Sequence, residues 1–177
     1  QGILLALLAR ERSGRGQRID IGLLDSTLAL LTYQASYYFA TGEPAGRMGN
    51  RHPTIAPYDT FPAADGDFVL AVGNDLQWQR FCQAAGLAEA AADPRFATNA
   101  ARVADYGALR ETIAARIRTR PRAEWIARLR AAGVPCGSVR TVGEALDDPQ
   151  IEAREMIVAV DHAAAGHLRL LGVPIKL

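Results

Sequence analysis

The segment Arg47-Met48-Gly49-Asn50-Arg51-His52-Pro53-Thr54-Ile55-Ala56-Pro57-Tyr58-Asp59-Thr60-Phe61 constrains the fold more than any other stretch. It excludes a regular helix. Pro53 and Pro57 lack an amide proton and fix φ, and Gly49-Asn50 are the residue types that best tolerate positive φ. The residues before the two prolines, His52 and Ala56, are pushed toward extended geometry. The pattern predicts an ordered, mostly extended loop that follows a long apolar helix and precedes a hairpin. It carries an amide (Asn50), a guanidinium (Arg51), an imidazole (His52) and a phenol (Tyr58) within nine residues. A polar loop on a rigid frame is a common seat of binding or catalysis, and a plain surface connector is the alternative that the local pattern leaves open.

At 177 residues the chain is long enough for one domain, and 49% hydrophobic residues suffice for a core. A net charge of +1 argues against a nucleic-acid face built on bulk charge. Cys82 and Cys136 lie far apart without CxxC spacing, and with three scattered histidines they form no metal-ligand pattern. They are expected to be reduced and buried. No signal-peptide pattern is present, and the apolar stretches fall short of the roughly 20 residues that span a bilayer. The expectation is a soluble, cytoplasmic protein without a membrane partner. Because the chain starts at Gln1 inside a helical pattern and stops soon after a strand-like run, it is expected to be part of a longer protein.

Periodicity places the elements. Ile3 to Arg12 reads as a helix that is apolar nearly all round, as in a buried helix, stopped by Ser13-Gly14-Arg15-Gly16. Gln17 to Gly22 alternates like a short strand, and Asp25 to Phe39 reads as one long helix whose Tyr33, Tyr37 and Tyr38 form a packing band. Strands are expected at Tyr58 to Ala63 and Asp67 to Val72, around Ala64-Asp65-Gly66. Helices follow over Leu76 to Ala85 with Asp75 as N-cap, Asn99 to Arg118, and Pro121 to Ala132 with Gly133 as C-cap. Val134 to Val139 is extended, Val142 to Leu146 and Gln150 to Arg154 are short helices, and Met156 to Val160 and Leu168 to Leu171 are strands. The fold class is α/β, with a small α+β domain of hairpin and helices flanked by helix and linker pieces.

These residues resemble the family III CoA-transferases (the CaiB/BaiF group, formyl-CoA transferase-like). The matching pieces are Ser13-Gly14-Arg15-Gly16-Gln17 with Ile19-Asp20, Gly49-Asn50-Arg51-His52-Pro53 with Pro57-Tyr58, Gly73-Asn74-Asp75 with Trp78, and Asp93-Pro94-Arg95-Phe96. Further matches are Asn99 with Arg102, Trp125, Ala132-Gly133-Val134-Pro135, Asp148-Pro149-Gln150 and Gly172-Val173-Pro174-Ile175-Lys176. Each piece is weak alone, and their order and spacing together are specific. The resemblance implies that residues 1–40 end a large Rossmann-like domain, 41–57 form a linker and active-site loop, 58–160 a small α/β domain, and 161–177 a return toward the large domain.

The resemblance also implies function: transfer of CoA between an acyl-CoA and an organic (di)carboxylic acid through an aspartyl-CoA thioester. The nucleophilic aspartate is expected upstream of Gln1, so no catalytic residue is assigned in this chain, and Asp20, Asp25, Asp59 and Asp65 do not match it. Gly49, Asn50, Arg51, His52 and Tyr58 are the expected substrate-binding residues, with Arg51, His52 and the amides near Gly49 as donors for negative charge. Coenzyme A enters as the acyl-CoA substrate, no metal is implied, and the expected partner is a second copy in an interlocked homodimer. Two alternatives remain at this point. One is an acyl-CoA racemase or epimerase of the same family using an acid/base pair. The other is a non-catalytic folding or dimerisation module when this chain stands alone.

Overall fold

Stop signals in the sequence govern where elements end in the computed structural model, which describes residues 1–176. Contacts group residues 1–47 into one unit and residues from Met48 onward into another. In the first unit, α1 (Gly2–Ser13) ends at Gly14, whose φ of 67° lets its amide donate back to the Arg10 carbonyl. The expected strand at Gln17 to Gly22 is irregular backbone, because no second strand lies beside it within the unit to complete a ladder. The single helix expected over Asp25 to Phe39 is two: α2 (Leu23–Ala29) and α3 (Tyr33–Thr41), interrupted where Thr32 takes a φ of 45°. The expectation of a buried α1 and a packed tyrosine band also fails. Ile3, Leu4 and Leu5 are each about two-thirds exposed, and Tyr33, Tyr37 and Tyr38 are exposed as well, since the unit offers no opposing apolar face.

The second unit is built on the hairpin. β1 (Tyr58–Ala63) pairs antiparallel with β2 (Gly66–Ala71), Ala63 opposite Gly66. The tight turn is therefore Ala64-Asp65, and Gly66, at φ 139°, opens the second strand. The extended Val134–Val139 segment supplies β3 (Cys136–Ser138) on the far edge of β2, giving the order β1-β2-β3. Phe61, Phe68 and Leu70 point from this sheet into the core.

Helices cover that face. α4 (Asp75–Ala85) is capped by Asn74 rather than Asp75: the Asn74 side chain accepts from the Gln77 amide, while Asp75 is left to reach Arg102. A short α5 (Ala88–Ala92), absent from the sequence expectation, and a 3₁₀ turn at Pro94–Phe96 follow. The long helix expected over Asn99 to Arg118 is broken at Asp105 into α6 (Asn99–Ala104) and α7 (Tyr106–Ile117). α8 (Arg122–Ala131) completes the layer. Trp78, Phe81, Leu109, Ile113, Ile117, Trp125 and Leu129 are fully buried between helices and sheet. Beyond it lie α9 (Val142–Leu146), α10 (Pro149–Ala153) and a separate antiparallel hairpin, β4 (Ile157–His162) with β5 (Gly166–Leu171). Among the described residues, no helix is long and apolar enough to cross a membrane.

Cys82 is fully buried on α4, and burial pushes its thiol up to about 12 against the opposing pull of Arg102. Below pH 9 the thiol is neutral in folded and unfolded chains alike. Above it only the unfolded chain releases the proton. The unfolding free energy should therefore fall as pH rises from 9 toward 12, by up to about 1.4 kcal/mol per pH unit. Urea melts of the intact protein across that range should show the slope, and Cys82→Ala should reduce it.

Candidate functional site

Two side chains on α6 hold the proline-flanked loop. Asn99 accepts from the Ala56 amide (3.0 Å) and donates Nδ2 to the Thr54 carbonyl (2.8 Å). Arg102, on the same helix face one turn later and wholly buried, donates Nε to the Ala56 carbonyl (2.7 Å) and one terminal nitrogen to the Phe96 carbonyl (2.9 Å). Its other terminal nitrogen meets the Asp75 carboxylate at 2.7 Å, and its guanidinium lies 5.3 Å from the Trp78 ring centre. Both backbone polar groups of buried Ala56 are thus satisfied by side chains, in a segment that has no ladder to supply partners.

On this frame the expected site residues fall into two groups. Gly49 turns at φ 64°, and Asn50 Nδ2 donates to the Thr60 hydroxyl at 2.8 Å. The His52 amide donates to the Tyr58 carbonyl (2.9 Å), and the two rings stack 5.4 Å apart at 14°. His52 Nδ1 accepts from the Thr54 amide at 3.2 Å, so that nitrogen carries no proton in this arrangement. Arg51 goes elsewhere: its guanidinium carbon sits 4.1 Å above the ring of Tyr106.

Tyr106 brings in residues that the sequence reading did not assign to the site. Its hydroxyl donates to Asp59 Oδ2 at 2.5 Å. Burial, reinforced by this bond, holds the phenol above its ordinary range, so it stays a donor through neutral pH. Asp59 also accepts from the Thr60 amide (2.7 Å) and lies 3.3 Å from Arg110, one turn along α7 from Tyr106. Arg110 in turn donates to the Thr60 carbonyl at 3.1 Å. Arg110 is balanced by Asp59, while Arg51, over the Tyr106 ring, brings a second positive charge to the cluster. Arg51 is half-buried, pairs with no carboxylate among the described residues, and its buried Nε has no hydrogen-bond partner. The cluster can take one anionic group.

Two clefts lie elsewhere in the second unit. A cleft of about 460 Å³ carries Arg122, Arg130 and Arg140, but Arg122 is paired with Asp65 and Glu144, and Arg140 with Asp148. A cavity of about 280 Å³ beside β4–β5 is lined mainly by aliphatic groups with Asp147 and Arg169. No group of three or more His, Cys, Asp or Glu side chains stands in metal-binding geometry among the described residues.

Asp59 was findable from strand alternation. In β1 it shares the inward face with Phe61, and a carboxylate on an apolar face needs a buried partner. Tyr106 stands at helical spacing from Leu109 and Ile113, and its hydroxyl on that buried face raises the same question.

The fold is that of a transferase family. The family model for CoA-transferase family III matches residues 1–177, and the chain belongs to that family. An acetyl-CoA:oxalate CoA-transferase from Acetobacter aceti is 40% identical over 176 residues, covering 99% of this chain and 44% of that protein. A succinate–glutarate CoA-transferase from Agrobacterium fabrum is 40% identical over 159 residues, 90% of this chain and 40% of its own length. The crystal structure of a CaiB/BaiF family protein from Brucella suis superposes with a TM-score of 0.80 at 41% identity, covering 99% of this chain and 45% of that one. The chain spans less than half the length of the relatives it matches.

Proposed function

We propose that the intact protein moves CoA from an acyl-CoA to an organic (di)carboxylic acid, and that Gly49, Asn50, Arg51, His52 and Tyr58 line the acceptor side. The observation that carries this is the uncompensated Arg51 guanidinium, fixed over Tyr106 on a loop clamped by Asn99 and Arg102. A planar guanidinium matches a carboxylate in shape and charge. The names of the two relatives quoted above specify oxalate and glutarate as carboxylic acids that those enzymes handle, which supports a carboxylate as the ligand here. The same names favour CoA transfer over racemisation or epimerisation.

In this reading an aspartate outside the chain attacks the thioester carbonyl and expels CoA thiolate, forming a mixed anhydride. The thiolate then attacks the aspartyl carbonyl, releasing the donor acid and leaving an enzyme thioester. The acceptor carboxylate attacks that thioester, and the freed thiolate takes the acceptor acyl group and restores the aspartate. Arg51 holds the acceptor carboxylate for this attack, and amides near Gly49 and the Asn50 side chain offer further donors. Residues 1–40 and 161–177 are assigned to a large domain, 41–57 to the linker and loop, and 58–160 to the small domain. A cytoplasmic homodimer is the expected assembly.

Arg51→Ala in the intact protein tests the assignment. Loss of a charge-assisted contact should raise acceptor KM about ten- to a hundredfold, with acyl-CoA KM little changed. Unchanged KM and kcat for the acceptor would reject the loop as the acceptor site.

A further inference from the structure

We infer that Tyr106, pinned by Asp59, is a positioning residue that sets the Arg51 guanidinium for acceptor binding; this rests on the acceptor-side reading of Arg51. Arg51 is a long side chain on an irregular loop. Among the described residues its guanidinium has no ion pair, and its buried Nε has no hydrogen-bond partner. What fixes the group is the face of one ring, 4.1 Å away. A cation over an aromatic face is attracted to it without using any of its N–H donors, which leaves the terminal ones free for a ligand. A carboxylate in that place would neutralise the charge and compete with the ligand instead.

The ring is in turn held at both ends. Tyr106 is the first residue of α7, so its backbone is set by the break at Asp105. Its hydroxyl is tied to Asp59, which is itself held by the Thr60 amide and Arg110. Asp59 sits on β1, in register with Leu70 of the neighbouring strand, so the platform is anchored to the sheet rather than to the loop it supports. The loop supplies the charge and the rigid frame supplies its position.

The test is a set of variants of the intact protein, with KM measured separately for acceptor acid and acyl-CoA and folding followed by thermal melts. Tyr106→Leu removes the platform and should raise acceptor KM about tenfold while leaving acyl-CoA KM within about twofold. Tyr106→Phe keeps the ring and loses the Asp59 bond; it should melt earlier and raise acceptor KM about threefold, less than Tyr106→Leu, with acyl-CoA KM unchanged. Tyr106→Leu added to Arg51→Ala should raise acceptor KM no further than Arg51→Ala alone, because Tyr106 acts through Arg51. A folded Tyr106→Leu protein with parental acceptor KM, or with both KM values raised equally, overturns the inference. So does a folded Tyr106→Phe protein whose acceptor KM is parental or whose two KM values rise equally, which decides the matter even if the leucine variant fails to fold. If Arg51→Ala changes acceptor KM and Tyr106→Leu does not, only the platform is wrong. If Arg51→Ala has no effect, the acceptor-side reading falls with it.

Discussion

Arg102→Met should lower the unfolding free energy of the intact protein by about 3–5 kcal/mol. Arg102 is wholly buried, and the substitution keeps the apolar stem of the side chain while removing the guanidinium, so the loss is mainly one of polar partners. Two carbonyls, of Ala56 and Phe96, lose their donors, and Ala56 is itself buried. Each orphaned buried group costs about 1–3 kcal/mol. The third partner, Asp75, has a side chain that is 55% exposed and regains water, so its lost ion pair adds little. Arg102→Lys should recover less than half of the deficit, because a single ammonium cannot reach three acceptors spread around a guanidinium fork. Chemical denaturation of the three proteins gives the comparison, with unchanged m-values if the native state stays compact. A loss below about 1 kcal/mol would show that the loop is held by Asn99 and its prolines alone. Acceptor KM should rise as well in Arg102→Met, since the Arg102 anchor at Ala56 lies five residues from Arg51.

Most of the small domain could be read from the sequence because its signals are local. Alternation fixes the hairpin, Pro57 marks where β1 begins, and Trp78, Phe81, Leu109, Ile113, Ile117, Trp125 and Leu129 repeat at helical spacing and are all buried. The misreadings arise where the deciding partner is distant in sequence. Asn74 displaces Asp75 as helix cap because Asp75 is engaged by Arg102, 27 residues on. Asp105, which breaks the expected long helix, is paired with Arg95. The apolar run of α1 predicts burial, but burial needs an opposing surface that a periodicity pattern cannot supply. The candidate site shows the same division. Its loop residues stand together in sequence, and their chemistry was plain. The clamp and the platform come from residues 43 to 50 positions away, joined to the loop and β1 only in the folded chain. Without them, Arg51 reads as one more arginine among many.

Asp59→Ala should destabilise the intact protein by about 2–4 kcal/mol. Asp59 is 7% exposed and gathers three partners: the Tyr106 hydroxyl, the Thr60 amide and Arg110. Its removal leaves the buried phenol with a proton and no acceptor. Arg110 is 43% exposed and is rehydrated, so the phenol and the Thr60 amide carry most of the loss. Two further variants separate charge from hydrogen bonding. Asp59→Asn keeps an oxygen that can accept from Tyr106 while losing the charge, and should lose about half as much stability as Asp59→Ala. Tyr106→Phe in the Asp59→Ala background removes the orphaned donor, so the double variant should be more stable than the sum of the single losses, by about 1–2 kcal/mol. Additive losses would mean that the hydroxyl finds water or another acceptor when Asp59 is absent, and that the 2.5 Å contact is a packing neighbour rather than the anchor of the ring.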